Sequence, residues 1–270
     1  MQFAYIHDSA MHYVWRDAGR DKPVVIFINS LGTDMRIWHD VQAQLGDAFS
    51  TLTYDKRGHG LSDTGTTPYS IEALSADLIG LMEHLAIGKA IICGLSVGGL
   101  IAQGLYAQRP DLVAGLVLSN TAHKIGNAQM WNDRIRAIEE NGLASILNST
   151  IPRWFTAQFR SPENAAFAGY CNMFIRQSQQ GYTATCAALR DADFTAAASE
   201  TVVPTLCIVG DQDGATPPDL VRELAQLIPG AHFRQITDSG HIPCVEQPAI
   251  FANLLREFIQ TIEYGGQADG

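Results

Sequence analysis

A serine in a glycine-rich turn is the first candidate for chemistry in this chain. Residues 94–98 read Gly-Leu-Ser-Val-Gly, with Ser96 at the centre. Glycines two positions to either side leave room for a sharp turn that exposes the serine hydroxyl. Such a nucleophile elbow needs a strand before it and a helix after it, and the patterns at 90–93 and 97–108 predict both. We therefore predict that Ser96 is a nucleophile; the alternative is a helix N-cap in an ordinary glycine-rich turn.

A serine nucleophile needs a positioned base, and the base needs an acid to orient it. His241 lies in a polar loop directly after the last predicted strand, at the strand end where ligand chemistry gathers in α/β sheets. The acid should follow the predicted strand at 205–209, where Asp211 and Asp213 are available. We predict Asp213, because Asp211 comes so soon after the strand that it suits a turn. The alternative for Asp213 is a turn-forming aspartate before glycine.

Backbone donors are the next requirement, because attack on a carbonyl creates an oxyanion. The N–H of Val97, directly after the nucleophile, is expected to be one donor. The other should come from the loop after the predicted strand at 24–28. We assign it to Leu31, since Gly32 allows the backbone to turn inward. The loop could also be a plain connection between a strand and a helix.

Residues 55–62 read Asp-Lys-Arg-Gly-His-Gly-Leu-Ser and admit more than one interpretation. The charges could indicate phosphate binding, and the histidine could indicate catalysis. The glycine and lysine pattern of a phosphate-binding loop is absent from the sequence. We interpret the segment as a turn stabilised by charge pairs and hydrogen bonds.

The order of predicted elements indicates the fold class. A continuous apolar run, typical of a strand buried on both faces, occurs at 24–28. Further strands are predicted at 49–54, 90–93, 113–118, 205–209 and 232–236. Helical patterns occur at 35–45, 71–86, 97–108, 218–228 and 248–262. A β-hairpin over 2–7 and 11–17, with a turn at 8–10, precedes them. This alternation predicts an α/β fold with a mostly parallel central sheet and helices on both faces.

The alternation is interrupted between residues 125 and 195. That segment shows no convincing strand pattern and predicts several helices, broken at Gly142, Pro152, Pro162 and Gly181. We predict an inserted helical cap at 125–195, a core formed by 1–124 and 196–264, and a flexible tail at 265–270.

Composition limits the partners. The formal net charge of −10 repels nucleic acid and anionic lipid, so neither is expected as a partner. The five cysteines lack C-x-x-C and zinc-type spacing, which predicts buried free thiols, a reducing compartment and no metal. The N-terminus does not read as a signal peptide, and no apolar stretch is long enough to span a bilayer. We therefore expect a cytoplasmic protein without a cofactor; the sequence does not address its oligomeric state.

Together these motifs resemble the α/β-hydrolase superfamily. The matching features are the Asn-Ser-Leu-Gly loop at 29–32, the turn at 55–62, the elbow at 94–98, Gly-x-x-Asp at 210–213 and Gly-His at 240–241. A narrower resemblance is to 3-oxoadipate enol-lactonases. It is carried by residues 27–34, 93–96, 119–122, 131–135, 153–156, 181–182 and 215–218, whereas residues 238–244 depart from that pattern.

The narrower resemblance implies a reaction. Members of that family open a small five-membered enol-lactone that bears a carboxylate, and give 3-oxoadipate in aromatic catabolism. On this chain, Ser96, His241 and Asp213 would then open 3-oxoadipate enol-lactone. The alternatives are a carboxylesterase, a hydrolase of carbon–carbon bonds with the same triad, or a small-molecule receptor with slow turnover.

An anionic lactone needs a cationic partner, and the predicted cap offers several. Its six arginines balance six acidic residues, so the acidic excess lies elsewhere in the chain. Arginine binds carboxylate through bidentate hydrogen bonds, and we predict that Arg134 does so. Trp131 and Trp154 could form an apolar wall around the substrate. The alternative is that the tryptophans pack within the cap and the arginines are solvated.

Overall fold

Eight strands form one sheet in the computed structural model, which describes residues 1–262, and their order is β1-β2-β4-β3-β5-β6-β7-β8. The strands are β1 (Gln2–Ile6), β2 (Ser9–Arg16), β3 (Val24–Ile28), β4 (Ser50–Tyr54), β5 (Ala90–Leu95), β6 (Val113–Ser119), β7 (Thr205–Gly210) and β8 (His232–Ile236). The pairs β1–β2 and β2–β4 are antiparallel, and the other five pairs are parallel. The predicted tail at 265–270 lies outside the described residues, as do residues 263 and 264 of the predicted core.

Helices flank this sheet. They are α1 (His39–Leu45), α2 (Ile71–His84), α3 (Val97–Gln108), α4 (Ala128–Asn141), α5 (Leu147–Trp154), α6 (Ala165–Ile175), α7 (Gln179–Asp191), α8 (Thr195–Ser199), α9 (Pro218–Leu227), α10 (Pro243–Glu246) and α11 (Pro248–Gln260). The prediction of an α/β fold with a mostly parallel sheet is confirmed. No helix within residues 1–262 is long and apolar enough to cross a membrane.

The apolar sequences of the central strands follow from their burial. Every residue of β5, β6 and β7 is buried, because helices cover both faces of the sheet. These strands run parallel to β3 and β8, so their carboxyl ends meet along one edge. The loops that carry the predicted site residues all begin at this edge.

The hairpin turn differs from its prediction at 8–10. Ile6 pairs with Ser9, so the turn contains only His7 and Asp8. His7 has a φ of 53°, as a tight turn of this kind requires. Ser9 is fully buried in β2 rather than in the turn.

Between β6 and β7 the described chain contains helices and no strand. Two of the four predicted breaks are correct: Gly142 ends α4 with a φ of 79°, and Pro162 lies between α5 and α6. The break at Pro152 is wrong, because α5 includes this proline. Proline has no backbone N–H, so α5 loses one intrahelical hydrogen bond at Pro152. The helix then ends two residues later, at Trp154. The boundaries of the cap at 125 and 195 stay a prediction.

The predicted break at Gly181 is also wrong, because α7 runs through it. The backbone of Gly181 lies directly against that of Gly58, and a Cβ on either residue would overlap the other backbone. This glycine is therefore required by close packing between the 55–62 turn and α7, and it does not end a helix.

Replacement of Gly181 by alanine should therefore destabilise the protein. We expect the free energy of unfolding to fall by about 1–3 kcal/mol, because backbone must move to admit the methyl group. Gly169→Ala is the matched control, since among residues 1–262 no atom beyond its chain neighbours and the backbone of α6 lies within 4 Å of a Cβ at that position. Urea unfolding of both variants tests this; equal stability of the two would contradict it.

The cysteines are free thiols, and four of the five are buried. Cys171 in α6 is only half-buried, which differs from the expectation for that residue. Burial raises the pKa of Cys207 to about 12, so this thiol remains protonated.

Candidate active site

Ser96 occupies the turn between β5 and α3 in a strained backbone conformation. Its φ is 59° and its ψ is −118°, values that a residue with a Cβ rarely adopts. A Cβ on Gly94 would overlap the backbone of Gly98, and one on Gly98 would overlap the carbonyl of Ile28. The two glycines therefore stand where the predicted elbow requires them.

Asp213 follows β7 and is almost fully buried. Its Oδ2 accepts hydrogen bonds from His241 Nδ1 at 2.9 Å, Asn120 Nδ2 at 2.8 Å and Thr216 Oγ1 at 2.7 Å. Its Oδ1 accepts from the backbone N–H groups of Ala215 at 2.7 Å and Thr216 at 3.0 Å. Five donors thus face one carboxylate, which fixes its orientation.

The charge state of Asp213 follows from these contacts. Burial acts to raise its pKa, but the charge on His241 and the hydrogen bonds from His241, Asn120 and Thr216 act against it. Their sum lowers the pKa of Asp213 below its ordinary value. The carboxylate is therefore ionised at neutral pH and holds the proton of His241 on Nδ1, which leaves Nε2 as the basic nitrogen.

Asn120 and Thr216 are parts of this site that sequence reasoning missed. Asn120 follows β6 with a φ of 47°, and its Nδ2 also donates to the carbonyl of Gly240 at 3.2 Å. Its position gave a usable signal, because it is a polar residue directly after a buried strand. Thr216 lies in the 215–218 segment that carries the narrower resemblance, but its contact with Asp213 depends on the conformation of the loop.

The end of α5 is hydrogen-bonded to the two loops that carry Asp213 and His241. The backbone N–H of His241 donates to the carbonyl of Trp154 at 2.8 Å, and that of Gly214 donates to the carbonyl of Arg153 at 3.1 Å. The guanidinium Nε of Arg153 returns a bond to the Gly214 carbonyl at 2.8 Å. The loops that carry Asp213 and His241 are therefore fixed against this helix.

Glu246 in α10 adds a further connection. Its carboxylate accepts from the backbone N–H of Gly240 at 2.7 Å and from the N–H and hydroxyl of Thr156 at 3.0 and 2.7 Å. Burial raises the pKa of Glu246 above its ordinary value, although these hydrogen bonds oppose the shift. The residue before His241 is thus linked to the segment that follows α5.

A cavity of about 160 Å³ lies at this edge of the sheet. Its wall is formed by Ser30, Leu31, Ser96, Ile125, Gly126, Met130, Trp131, Arg134, Thr150, Arg153, Trp154, Tyr182, Leu189, Ala215, Thr216 and His241. The structure therefore brings six of the predicted site residues together around one space. Asp213 and Val97 lie behind this wall rather than in it.

The predicted oxyanion donors flank Ser96. Leu31 follows β3 and Val97 begins α3. Among residues 1–262, neither backbone N–H donates a hydrogen bond to another group of the chain. Both groups are thus available to a ligand.

Arg134 reaches the cavity from α4. Its Nε donates to the Tyr182 hydroxyl at 3.0 Å and its Nη2 donates to the Thr150 hydroxyl at 2.8 Å. No carboxylate of residues 1–262 lies within 4.0 Å of its nitrogens, and the same holds for Arg153. Two guanidinium groups with no acidic partner therefore face this space.

The two predicted tryptophans are buried in the wall. The indole N–H of Trp131 donates to the Ile125 carbonyl at 2.7 Å, so its ring has a fixed orientation. The ring centroid of Trp154 lies 6.4 Å from that of His241 and 5.4 Å from that of Phe174. Both rings pack within the protein and line the cavity, so packing and lining are not exclusive here.

The 55–62 turn is held by the contacts that its sequence indicated. Asp55 accepts from His12 Nδ1 at 2.8 Å and from the backbone N–H groups of Met35 and Leu61 at 2.9 Å each. Arg57 forms an ion pair with Asp77. Within residues 1–262, no group of three His, Cys, Asp or Glu side chains is arranged to hold a metal ion.

Comparison with known proteins agrees with this geometry. A sequence profile of the alpha/beta hydrolase family matches residues 25–254. The 3-oxoadipate enol-lactonase 2 of Acinetobacter baylyi is 36% identical over 231 residues, which are 86% of each chain. The crystal structure of the enol-lactonase from Burkholderia xenovorans LB400 is similar with a TM-score of 0.92 at 35% identity, over 96% of this chain and 100% of that chain. A thermophilic esterase from Thermogutta terrifontis has a TM-score of 0.90 at 26% identity, over 97% and 99% of the two chains. The resemblance found in the sequence is thus confirmed, and the chain belongs to the alpha/beta hydrolase family of enzymes.

Proposed function

We propose that this protein is a serine hydrolase that opens a small enol-lactone bearing a carboxylate, with 3-oxoadipate enol-lactone giving 3-oxoadipate. The observation that best supports this proposal is the charge of the cavity wall. Arg134 and Arg153 line the cavity, and no Asp or Glu of residues 1–262 does, although the chain as a whole has a net charge of −10. A local positive potential of this kind favours an anionic substrate. The enol-lactonases of Acinetobacter baylyi and Burkholderia xenovorans LB400 named above support the same reaction.

The first half of the reaction forms an acyl-enzyme. His241 takes the proton of Ser96 as Oγ attacks the lactone carbonyl carbon. The tetrahedral oxyanion accepts hydrogen bonds from the backbone N–H groups of Leu31 and Val97. When the intermediate collapses, the ring carbon–oxygen bond breaks and its electron pair leaves on the enol oxygen. An enolate is a better leaving group than an alkoxide.

The second half releases the product. The enolate remains tethered to the acyl chain and could close the ring again. The imidazolium of His241 donates its proton to the enolate oxygen, and conversion of the resulting enol to the ketone removes that nucleophile and drives the reaction forward. The neutral His241 then takes a proton from water, and the resulting hydroxide attacks the acyl carbon. As the bond to Ser96 breaks, His241 returns that proton to Ser96 Oγ. Direct attack of water on the lactone, without an acyl-enzyme, is the alternative pathway.

Arg134 is the proposed partner of the substrate carboxylate. Replacement by methionine should lower kcat/KM for the enol-lactone by about 10- to 100-fold, mostly through KM, because a charge-assisted hydrogen bond is lost. Turnover of a neutral ester should change far less. Arg136→Met is the matched control, since Arg136 lies on the same helix with an exposed side chain outside the cavity. An equal loss on neutral ester and anionic lactone would argue against carboxylate binding.

Steady-state turnover of three substrates tests the proposal as a whole. They are 3-oxoadipate enol-lactone, p-nitrophenyl acetate and a neutral γ-lactone. We expect fast loss of the enol-lactone and poor turnover of the other two. Strong activity on the neutral ester with weak activity on the enol-lactone would favour a carboxylesterase. Slow turnover of every substrate would favour a receptor.

A further inference from the structure

Lys56 is a buried lysine without a carboxylate partner. It follows β4 in the 55–62 turn, and only 1% of its surface is exposed. No carboxylate of residues 1–262 lies within 4.0 Å of its Nζ. The neighbouring Asp34 and Asp55 pair with Arg36 and His12. A buried cationic group is costly unless its contacts compensate. The proposed reaction does not otherwise use this residue.

The one hydrogen bond that Lys56 Nζ makes within residues 1–262 is to the carbonyl oxygen of Ser30, at 2.6 Å. The same carbonyl accepts from the hydroxyl of Thr33 at 3.0 Å. Longer hydrogen bonds reach it from the backbone N–H of Thr33 at 3.4 Å and from Asn29 Nδ2 at 3.5 Å. Lys56 therefore makes the shortest of the hydrogen bonds that hold the Ser30–Leu31 peptide by its oxygen.

Because the peptide group is planar, the contact at the Ser30 oxygen also fixes the direction of the Leu31 N–H. A trans peptide is planar, and its C=O and N–H point in opposite directions. When Lys56 and Thr33 hold the Ser30 oxygen on the protein side, the N–H of Leu31 must point away from them. Ser30 and Leu31 line the same cavity as Ser96.

The next N–H along the loop, that of Gly32, points toward the 55–62 turn and not toward the cavity. The Gly32 N–H donates to His59 Nε2 at 3.1 Å, and Gly32 has a φ of 73°. Burial and the nearby charge of Lys56 lower the pKa of His59 well below its ordinary value, so its neutral ring can accept. Two residues of the 55–62 turn thus set the directions of two successive N–H groups.

We infer that Lys56, assisted by the Thr33 hydroxyl, is a positioning residue that turns the Leu31 N–H toward the carbonyl under attack. It acts through the Ser30–Leu31 peptide and does not touch the substrate. A donor on the carbonyl also polarises the peptide, which strengthens the hydrogen bond that the N–H can donate. The inference rests on the proposed serine mechanism, in which Leu31 supplies one oxyanion donor.

The charge state of Lys56 does not alter this role. Burial lowers the pKa of Lys56 well below its ordinary value, and the carboxylates of Asp55 and Asp34 oppose that shift. Both the ammonium and the neutral amine carry N–H donors. The hydrogen bond to Ser30 is therefore available in either state.

Lys56→Met tests the inference, because methionine fills similar volume without a donor. With p-nitrophenyl acetate we expect kcat to fall by about 10- to 100-fold, as for a weakened oxyanion hole, while KM changes by less than about twofold. A trifluoromethyl ketone, which forms a tetrahedral adduct with a catalytic serine, should bind more weakly by the same factor as the loss in kcat/KM.

Leu78→Ala is the control for a purely structural effect, since Leu78 is fully buried in α2 away from the cavity. It should lower Tm and leave kcat per active site unchanged. A Lys56→Met enzyme that behaves like Leu78→Ala would overturn the inference. If Lys56→Met does not fold, Lys56→Leu takes its place, and unchanged kcat in that variant would overturn the inference equally.

The neutral ester separates this inference from the proposed function. Its hydrolysis reports on Ser96 chemistry alone, so failure of the enol-lactone as a substrate leaves the comparison of variants intact. A Ser96→Ala variant that still hydrolyses the ester at the normal rate would instead reject the serine mechanism, and the inference about Lys56 with it.

Discussion

Replacement of Ser96 by alanine should lower kcat by about 10⁴- to 10⁶-fold with little change in the fold. Removal of a catalytic serine eliminates the nucleophile and leaves only substrate binding and the oxyanion donors. The fold should tolerate the change, because alanine keeps the Cβ and Ser96 Oγ forms no hydrogen bond among residues 1–262 that holds the turn. Steady-state turnover of the enol-lactone and of p-nitrophenyl acetate measures the effect.

A matched serine and a covalent probe complete this test. Ser145→Ala should have normal activity, because Ser145 is exposed and donates only to the carbonyl of Gly142. A fluorophosphonate should label the parent enzyme and the Ser145 variant but not the Ser96 variant. Turnover by Ser96→Ala near the normal rate would remove the acyl-enzyme from the mechanism. Labelling of Ser96 without an acyl intermediate during turnover would favour direct attack of water.

Replacement of Asp213 by asparagine should lower kcat by about 10⁴-fold, which is the size of effect seen when a triad loses its acid. Both carboxylate oxygens are hydrogen-bond acceptors here: Oδ2 accepts from the side chains of His241, Asn120 and Thr216, and Oδ1 accepts from two backbone N–H groups. The NH₂ group of an asparagine is a donor, so at either position it would face other donors and lose these hydrogen bonds. The imidazole would then lose the tautomer that leaves Nε2 basic.

Asp211→Asn is the control for this variant, because Asp211 was the other candidate acid. Its Oδ1 accepts from the backbone N–H of Ser239 at 3.1 Å, which an asparagine oxygen can also do. We expect at most a few-fold change in kcat. A large loss in Asp211→Asn together with a small loss in Asp213→Asn would reverse the assignment of the acid.

The placement of the serine, the acid and the histidine could be predicted because each depends on a local signal. Ser96, Asp213 and His241 each follow a predicted strand, and parallel strands bring their carboxyl ends to one edge. The central strands β3, β5, β6 and β7 were predictable for a similar reason, since strands buried on both faces have a largely apolar sequence.

The contacts that complete the site could not be predicted in this way. Asn120 and Asp213 are 93 residues apart, and Thr156 and Glu246 are 90 apart, with no periodic pattern to connect them. Gly181 shows a second limit of prediction from sequence. A glycine that close packing requires cannot be distinguished by residue type from a glycine that ends a helix. Arg153 was indistinguishable from the other arginines of its segment until the fold placed it beside Gly214.

The attachment of α5 to the loops of Asp213 and His241 restricts how this enzyme could be redesigned. Exchange of the helical segment between β6 and β7 with that of a relative is an attractive route to new substrate preference, since this segment supplies much of the cavity wall. Here the carbonyls of Arg153 and Trp154 also hold the loops of Asp213 and His241. A transplanted segment would have to reproduce those two carbonyls and the Thr156 contact with Glu246. In this chain the segment that forms the cavity wall therefore also positions the loops of Asp213 and His241. A transplanted segment without these hydrogen bonds could change substrate preference but would lose the positions of those two residues.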